Sequence, residues 1–186
     1  MTRALLIIDV QQGLCENDSQ GQGAAWDSAA VIQRINRVAA HARASGVPVV
    51  FIQHEGAGYL EHGSRAWQLA DGLLAEPDDS FVRKTTPDSF LRTDLQAVLA
   101  ARGVTELIVC GMHSEFCVDT TTRRALALGY PVTLVADGHT SAGNAVLSPQ
   151  QVIAHHNTTL THISSFGPRV RALACDDLLA GWVVAA

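Results

Sequence analysis

A cysteine placed just beyond an apolar run, where helix-forming sequence begins, is the arrangement in this chain best suited to chemistry. The stretch reads Cys110-Gly111-Met112-His113-Ser114-Glu115-Phe116-Cys117-Val118-Asp119-Thr120-Thr121. Leu107-Ile108-Val109-Cys110 favours a strand and stops at a glycine. Ser114 then reads as a helix N-cap, and helix-forming residues run on to Leu128 before Gly129. This places Cys117 in the first turn of a helix, at the carboxyl end of a strand. A thiol there meets the positive end of the helix dipole and several unpaired backbone N–H groups. Both lower its pKa and make it a stronger nucleophile. The same N–H groups can hold a developing oxyanion.

A cysteine nucleophile needs a base or a positive neighbour to activate it. No histidine has an evident claim to that role. Asp9 ends the apolar run Ala4-Leu5-Leu6-Ile7-Ile8. A carboxylate there is desolvated and suits a proton acceptor, although a turn cap is the plainer use of aspartate. Lys84 follows Ser80-Phe81-Val82-Arg83. The Phe-Val pair marks a short strand that brings Lys84 to the same edge of the sheet. A cation beside a thiol favours thiolate; a solvated surface lysine is the plainer reading. Together, Asp9 can move the thiol proton while Lys84 stabilises the charged pair.

The elements that must position these residues alternate between strand and helix patterns. Strands are read at residues 4–8, 47–52, 107–110 and 132–136, with a short one near Ile163. Helices are read at residues 29–44, 93–102, 114–128, 149–160 and 171–180. Such alternation predicts right-handed βαβ units and a parallel sheet covered on both faces. Sites in such folds lie beyond the carboxyl ends of the strands. The polar residues there are Asp9, His54 and Glu55, the turn from Gly111 to Cys117, and Asp137. The irregular stretch Glu55 to Pro87 is long for a connection and reads as a lid or substrate-shaping excursion.

Several pieces in order resemble the isochorismatase-like cysteine hydrolases, a family that includes nicotinamidases, N-carbamoylsarcosine amidases and ureidoacrylate-type amidohydrolases. They are Leu6-Ile7-Ile8-Asp9-Val10-Gln11, Val82-Arg83-Lys84 with Pro87-Asp88-Ser89-Phe90, Gly111 to Val118 with Thr121 and Arg124-Ala125, and Val135-Ala136-Asp137-Gly138. The resemblance implies a Rossmann-like three-layer α/β/α sandwich with a mostly parallel sheet of about six strands. It implies one hydrolase domain over residues 1–186 and a triad of Asp9, Lys84 and Cys117. It further implies a cis peptide at Met112–His113, and an oxyanion hole made by the N–H groups of His113 and Cys117. The implied reaction is hydrolysis of a small amide or amide-like bond through a thioester. Gln11, Phe90 and Phe116 are candidate substrate contacts, and the side chain of His113 either reaches the pocket or packs beside the turn.

Nicotinamidases of the family carry an Asp-x-His metal site after the second strand. Here that region reads Gln53-His54-Glu55-Gly56, so no metal or other cofactor is expected. Spacing alone leaves open whether His54, Glu55 or His62 joins the site. The family is commonly oligomeric, so a homo-oligomer, dimer or tetramer, is expected. The apolar tail Leu178 to Val184 is read as packed on the body or in a subunit contact.

The bulk composition narrows the classes. The chain has 186 residues, 47% hydrophobic and 17% charged, which predicts a folded globular protein with a real core. A net charge of -5 argues against nucleic acid or an anionic membrane as partner. No signal peptide or membrane span is read, because the first apolar run stops at Asp9. Cys15, Cys110, Cys117 and Cys175 form no CxxC pair and suit no zinc module, so reduced thiols in the cytoplasm are expected. Two other readings stand beside the hydrolase. One is a catalytically silent relative that acts by binding or assembly; retention of all three triad residue types argues against it. The other is a redox thiol protein, which lacks an evident resolving cysteine.

Overall fold

The computed structural model describes residues 2–16 and 23–182. Six strands form one sheet: β1 Arg3–Ile8, β2 Val49–His54, β3 Ser80–Lys84, β4 Glu106–Met112, β5 Val132–Thr140 and β6 Val170–Leu173. Their spatial order is β3-β2-β1-β4-β5-β6, and every neighbouring pair is parallel. The connections therefore wind outward in both directions from the centre, and the switch point falls between β1 and β4. A crevice at the carboxyl ends of those two strands is where ligands bind in open α/β sheets.

The layers follow from period-two alternation along buried strands. Leu5 and Ile7 face one side, with Ile35, Val38 and Ala39 of α2 (Ser28–Ala44, after the single-turn α1 at Gln12–Cys15) and Leu178 of α6 (Cys175–Ala180). Ala4, Leu6 and Ile8 face the other, with Leu95 and Leu99 of α3 (Leu95–Ala101), Ala125 and Leu126 of α4 (Asp119–Ala127) and Leu160 of α5 (Pro149–His162). A strand buried on both faces has no polar side to mark its register, so a near-continuous apolar run is its expected signature. Among the helices, α5 shows why its start was readable. Ser148 accepts from the N–H of Gln151, Gln151 returns a bond to the N–H of Ser148, and Pro149 takes the first helical position.

Two expectations near the C-terminus are corrected. No strand forms at Ile163, which ends α5; the sixth strand lies at Val170–Leu173 instead. Arg171, read as the start of the last helix, belongs to that strand. Its guanidinium bonds Thr133 Oγ1 (2.8 Å) on the adjacent β5 and Glu106 Oε1 (3.1 Å) on β4 beyond it, and such partners override local helix propensity. At the end of the chain Trp182 is buried against the body, its ring beside His41. Val183 and Val184 lie outside the described residues. No described helix is long and apolar enough to cross a membrane.

A close backbone approach in the sheet lies at the switch point. Gly111 pairs with Ile8 and has φ +124°. A Cβ on Gly111 would stand 2.0 Å from the Ile8 carbonyl oxygen, which is backbone and cannot move aside. We expect Gly111→Ala to lower the urea midpoint by the equivalent of about 3 kcal/mol or more. Gly56→Ala, where a Cβ meets nothing within 4 Å, should stay within about 0.5 kcal/mol of wild type. Equal midpoints for the two variants would contradict the close approach of β1 and β4.

Candidate active site

Four strand ends contribute to one cluster. Asp9 follows β1 with φ 51°, a left-handed conformation that costs of order 1 kcal/mol and that aspartate tolerates better than most residues. Its N–H bonds the Ile52 carbonyl (2.8 Å), and its own carbonyl accepts from Gln11 (2.8 Å). Lys84 is the last residue of β3, where Phe81 and Arg83 point outward and Val82 and Lys84 point inward. Its ammonium donates to Asp9 Oδ2 (2.6 Å), to Cys117 Sγ (3.1 Å) and to His54 Nδ1 (3.1 Å). Both side chains of the Lys84–Asp9 pair are withdrawn from solvent, at 0% and 1% exposure. An ammonium has three N–H donors, and here each has an acceptor. His54 must then accept at Nδ1, which leaves its proton on Nε2. Burial first, and the Lys84 charge second, hold the imidazole below its ordinary pKa and keep it neutral. The other oxygen of Asp9, Oδ1, is buried without a hydrogen-bond partner.

Cys117 does not sit in the first turn of an α-helix, as its sequence context implies. It lies in a wider, π-helical turn at Ser114–Val118 that precedes α4. The carbonyl of His113 accepts from the N–H of Phe116 (3.1 Å) and from that of Val118 (3.2 Å), which spreads the turn by one residue. The Met112–His113 peptide that enters it is cis. Ser114 does not cap the helix either. Its hydroxyl lies 2.7 Å from His139 Nδ1, and a side chain engaged there is withdrawn from the turn's N–H groups.

The expected lowering of the thiol pKa is also overturned. Burial, followed by the Asp9 carboxylate, pushes Cys117 up to about 12, and the Lys84 ammonium offsets only part of that. The resting group is a neutral thiol between a carboxylate and a cation. Cys110 is raised by burial as well, and its thiol is spent on the Leu6 carbonyl at 3.5 Å. All four cysteines are free.

A cleft of about 330 Å³ opens over the cluster, lined in part by Asp9, His54, Tyr59, His113, Phe116 and Cys117. Phe116 is 57% exposed at its edge, and His113 is mostly buried with no partner for Nε2. The two other proposed contacts are corrected. Gln11 is fully buried and fully bonded: Nε2 donates to the carbonyls of His54 (3.0 Å) and Trp67 (2.9 Å), and Oε1 accepts from the N–H of His54 (2.8 Å). It fastens the chain after β2 and does not line the cleft. Phe90 is a core residue, stacked at 6.1 Å on Tyr130 and absent from the cleft lining.

Glu55 turns to Arg83 (3.6 Å), and His62 meets the Trp67 ring edge-on. Asp137 caps the N–H of Cys175 at the start of α6 (2.7 Å). His54 is therefore the member of the cluster that sequence left open. Its signal was only its place at the carboxyl end of a buried strand. Among the described residues, one trio of metal-binding side chains converges, Asp9, His54 and Cys117, with ligand atoms within 4.8 Å of one another. The Lys84 ammonium already lies within hydrogen-bonding reach of all three, which gives their electron pairs a cation of the protein's own.

A profile of the Isochorismatase domain matches residues 3–163. The streptothricin hydrolase of Streptomyces noursei is 41% identical over 139 residues, covering 74% of this chain and 49% of that protein. This chain thus spans about half the length of that relative. The ureidoacrylate amidohydrolase of Methylobacterium radiotolerans is 29% identical over 199 residues, covering 89% and 74%. A crystal structure described as an isochorismatase family protein superimposes with a TM-score of 0.82 at 35% identity, covering 92% of this chain and 98% of that one. With the profile spanning most of its length and its fold superimposing on a structure of that family, the chain belongs to the isochorismatase-like hydrolase family.

Proposed function

We propose that this protein is a cysteine-dependent amidohydrolase that cleaves a small amide or amide-like C–N bond through a thioester, without a metal. The observation that carries the reading is the Lys84 ammonium held at once by Asp9, His54 and Cys117 on the floor of the cleft. The hydrolase and amidohydrolase names of the relatives support the reaction class. We further take residues 1–186 to act as one hydrolase unit.

In this mechanism Asp9, through its unpartnered Oδ1, accepts the Cys117 proton as Sγ bonds to the amide carbon. The carbonyl electron pair moves to oxygen, which rests on the N–H groups of His113 and Cys117. Collapse re-forms the carbonyl and breaks the C–N bond. Asp9 gives its proton to the leaving nitrogen, which departs as ammonia or an amine. Asp9 then takes a proton from water as its oxygen attacks the thioester. The C–S bond breaks, the proton returns to sulfur, and a carboxylic acid leaves. Lys84 keeps its charge throughout and offsets whichever anion is present, carboxylate or thiolate.

Release of ammonia or amine is to be followed over a panel of nicotinamide, pyrazinamide, N-carbamoyl amino acids and ureido acids. We expect at least one substrate, with Cys117→Ala and Asp9→Asn each lowering kcat by roughly 10³-fold or more. Turnover that survives Cys117→Ala would exclude the thioester route.

The resting thiol gives a second expectation. Thiolate is the form that alkylates, and a pKa raised to about 12 keeps that form scarce near neutrality. Iodoacetamide labelling of Cys117 in the free protein should keep rising up to at least about pH 9.5. A plateau near pH 7, read by peptide mass spectrometry, would mean that the thiol is already ionised at rest.

A further inference from the structure

Behind the turn that carries Cys117 lies a buried hydrogen-bond chain that the proposed reaction does not use. Ser114, completely buried, is 2.7 Å from His139 Nδ1. His139, at 1% exposure, has Nε2 at 3.0 Å from Asn157 Oδ1. Asn157 Nδ2 lies 2.9 Å from the Ala136 carbonyl. The last contact fixes every direction. A carbonyl only accepts, so the amide nitrogen of Asn157 points to Ala136 and its oxygen points to His139. Nε2 of His139 must then carry the proton, Nδ1 must accept, and the Ser114 hydroxyl must donate. None of the three residues lines the cleft. A parallel strut lies beside them, where Ser141 Oγ donates to Glu115 Oε1 at 2.7 Å.

We propose that His139 is a positioning residue: through Ser114 it fixes the π-helical turn that presents Cys117 and the backbone N–H groups to the substrate. The proposal rests on the amidohydrolase reading above, and it explains three things. It explains why a serine at the head of the turn does not cap the following helix. It explains a neutral, buried histidine, held at about 4 by its burial, on a strand whose register with β4 shifts between Val109 and Gly111. It also explains how α5 and β5, which contribute nothing to the cleft, bear on the chemistry. Small displacements of a reacting atom are costly in rate, of order 10²-fold for about 1 Å.

Two substitutions at His139 separate position from bulk. Asparagine sets its Oδ1 near the site of Nδ1 and keeps an acceptor for Ser114. Glutamine reaches toward Asn157 instead and leaves Ser114 without one. On any amide that the wild type turns over, we expect Ser114→Ala and His139→Gln to lower kcat by roughly 10- to 100-fold with KM within about threefold. Ser114→Thr and His139→Asn should retain most of kcat. Hydrogen exchange of the peptide spanning residues 111–118, read by mass spectrometry, should quicken in the first pair and not in the second. That measurement needs no substrate, so it judges His139 even if the amide panel fails and the amidohydrolase reading falls. Wild-type kcat and exchange in His139→Gln would overturn the proposal. So would equal losses in His139→Asn and His139→Gln that track a common fall in melting temperature.

Discussion

The site depends on one buried cation. Moving an ammonium out of water costs several kcal/mol, and an isolated one in this interior would lose its proton or unfold the sheet edge. Three acceptors reach Lys84, each from a different strand end: Asp9 after β1, His54 at the end of β2 and Cys117 beyond β4. The dependence is mutual. Without Lys84 the Asp9 carboxylate would be buried with no counter-charge, a loss worth about 3–5 kcal/mol for such pairs. The sheet order, the close approach of β1 and β4 at Gly111 and the left-handed backbone at Asp9 all bring those atoms within reach of one nitrogen.

The same cluster explains how a thiol with a raised pKa suits nucleophilic work. Burial holds the proton on sulfur while the site is at rest. A carboxylate oxygen with no other partner stands ready for that proton. Transfer then leaves the number of buried charges unchanged, because a carboxylate is exchanged for a thiolate beside the same ammonium. A thiol kept neutral between turnovers is also shielded from the oxidation to which exposed thiolates are prone.

What could be read from the chain was whatever depends on local pattern. The run Ala4 to Ile8 announces a doubly buried strand, Ser148-Pro149 announces a helix start, and the inward alternation of Val82 and Lys84 announces a lysine aimed at the sheet edge. What could not be read depends on partners far along the chain. Ser114 has cap chemistry, but its hydroxyl is claimed by a histidine 25 residues away. Gln11 has the polarity of a substrate contact, yet it is consumed by carbonyls 43 and 56 residues away. Phe90 packs on Tyr130 in the core while Phe116 stands exposed at the cleft, a difference set by neighbours distant in the chain. The thiol's raised pKa followed from burial, which no residue spacing reports.

The excursion between β2 and β3 supplies Gly56, Ala57, Tyr59 and Leu60 to the cleft but no member of the Lys84 cluster. It is tied down by backbone bonds from Gln12 to Gln68 (2.9 Å) and from Gly13 to Ala66 (2.9 Å), and by the amide of Gln11 on the Trp67 carbonyl. One wall of the cleft is thus a piece of chain distinct from the Lys84 cluster, fastened to it through the Gln11–Gly13 segment that follows Asp9. A substitution at Gly56, Ala57 or Leu60 alters the wall without removing any contact of the Lys84 ammonium. A loop that shapes the cleft without supplying its reactive groups can change what the cleft admits and leave the chemistry beneath it intact.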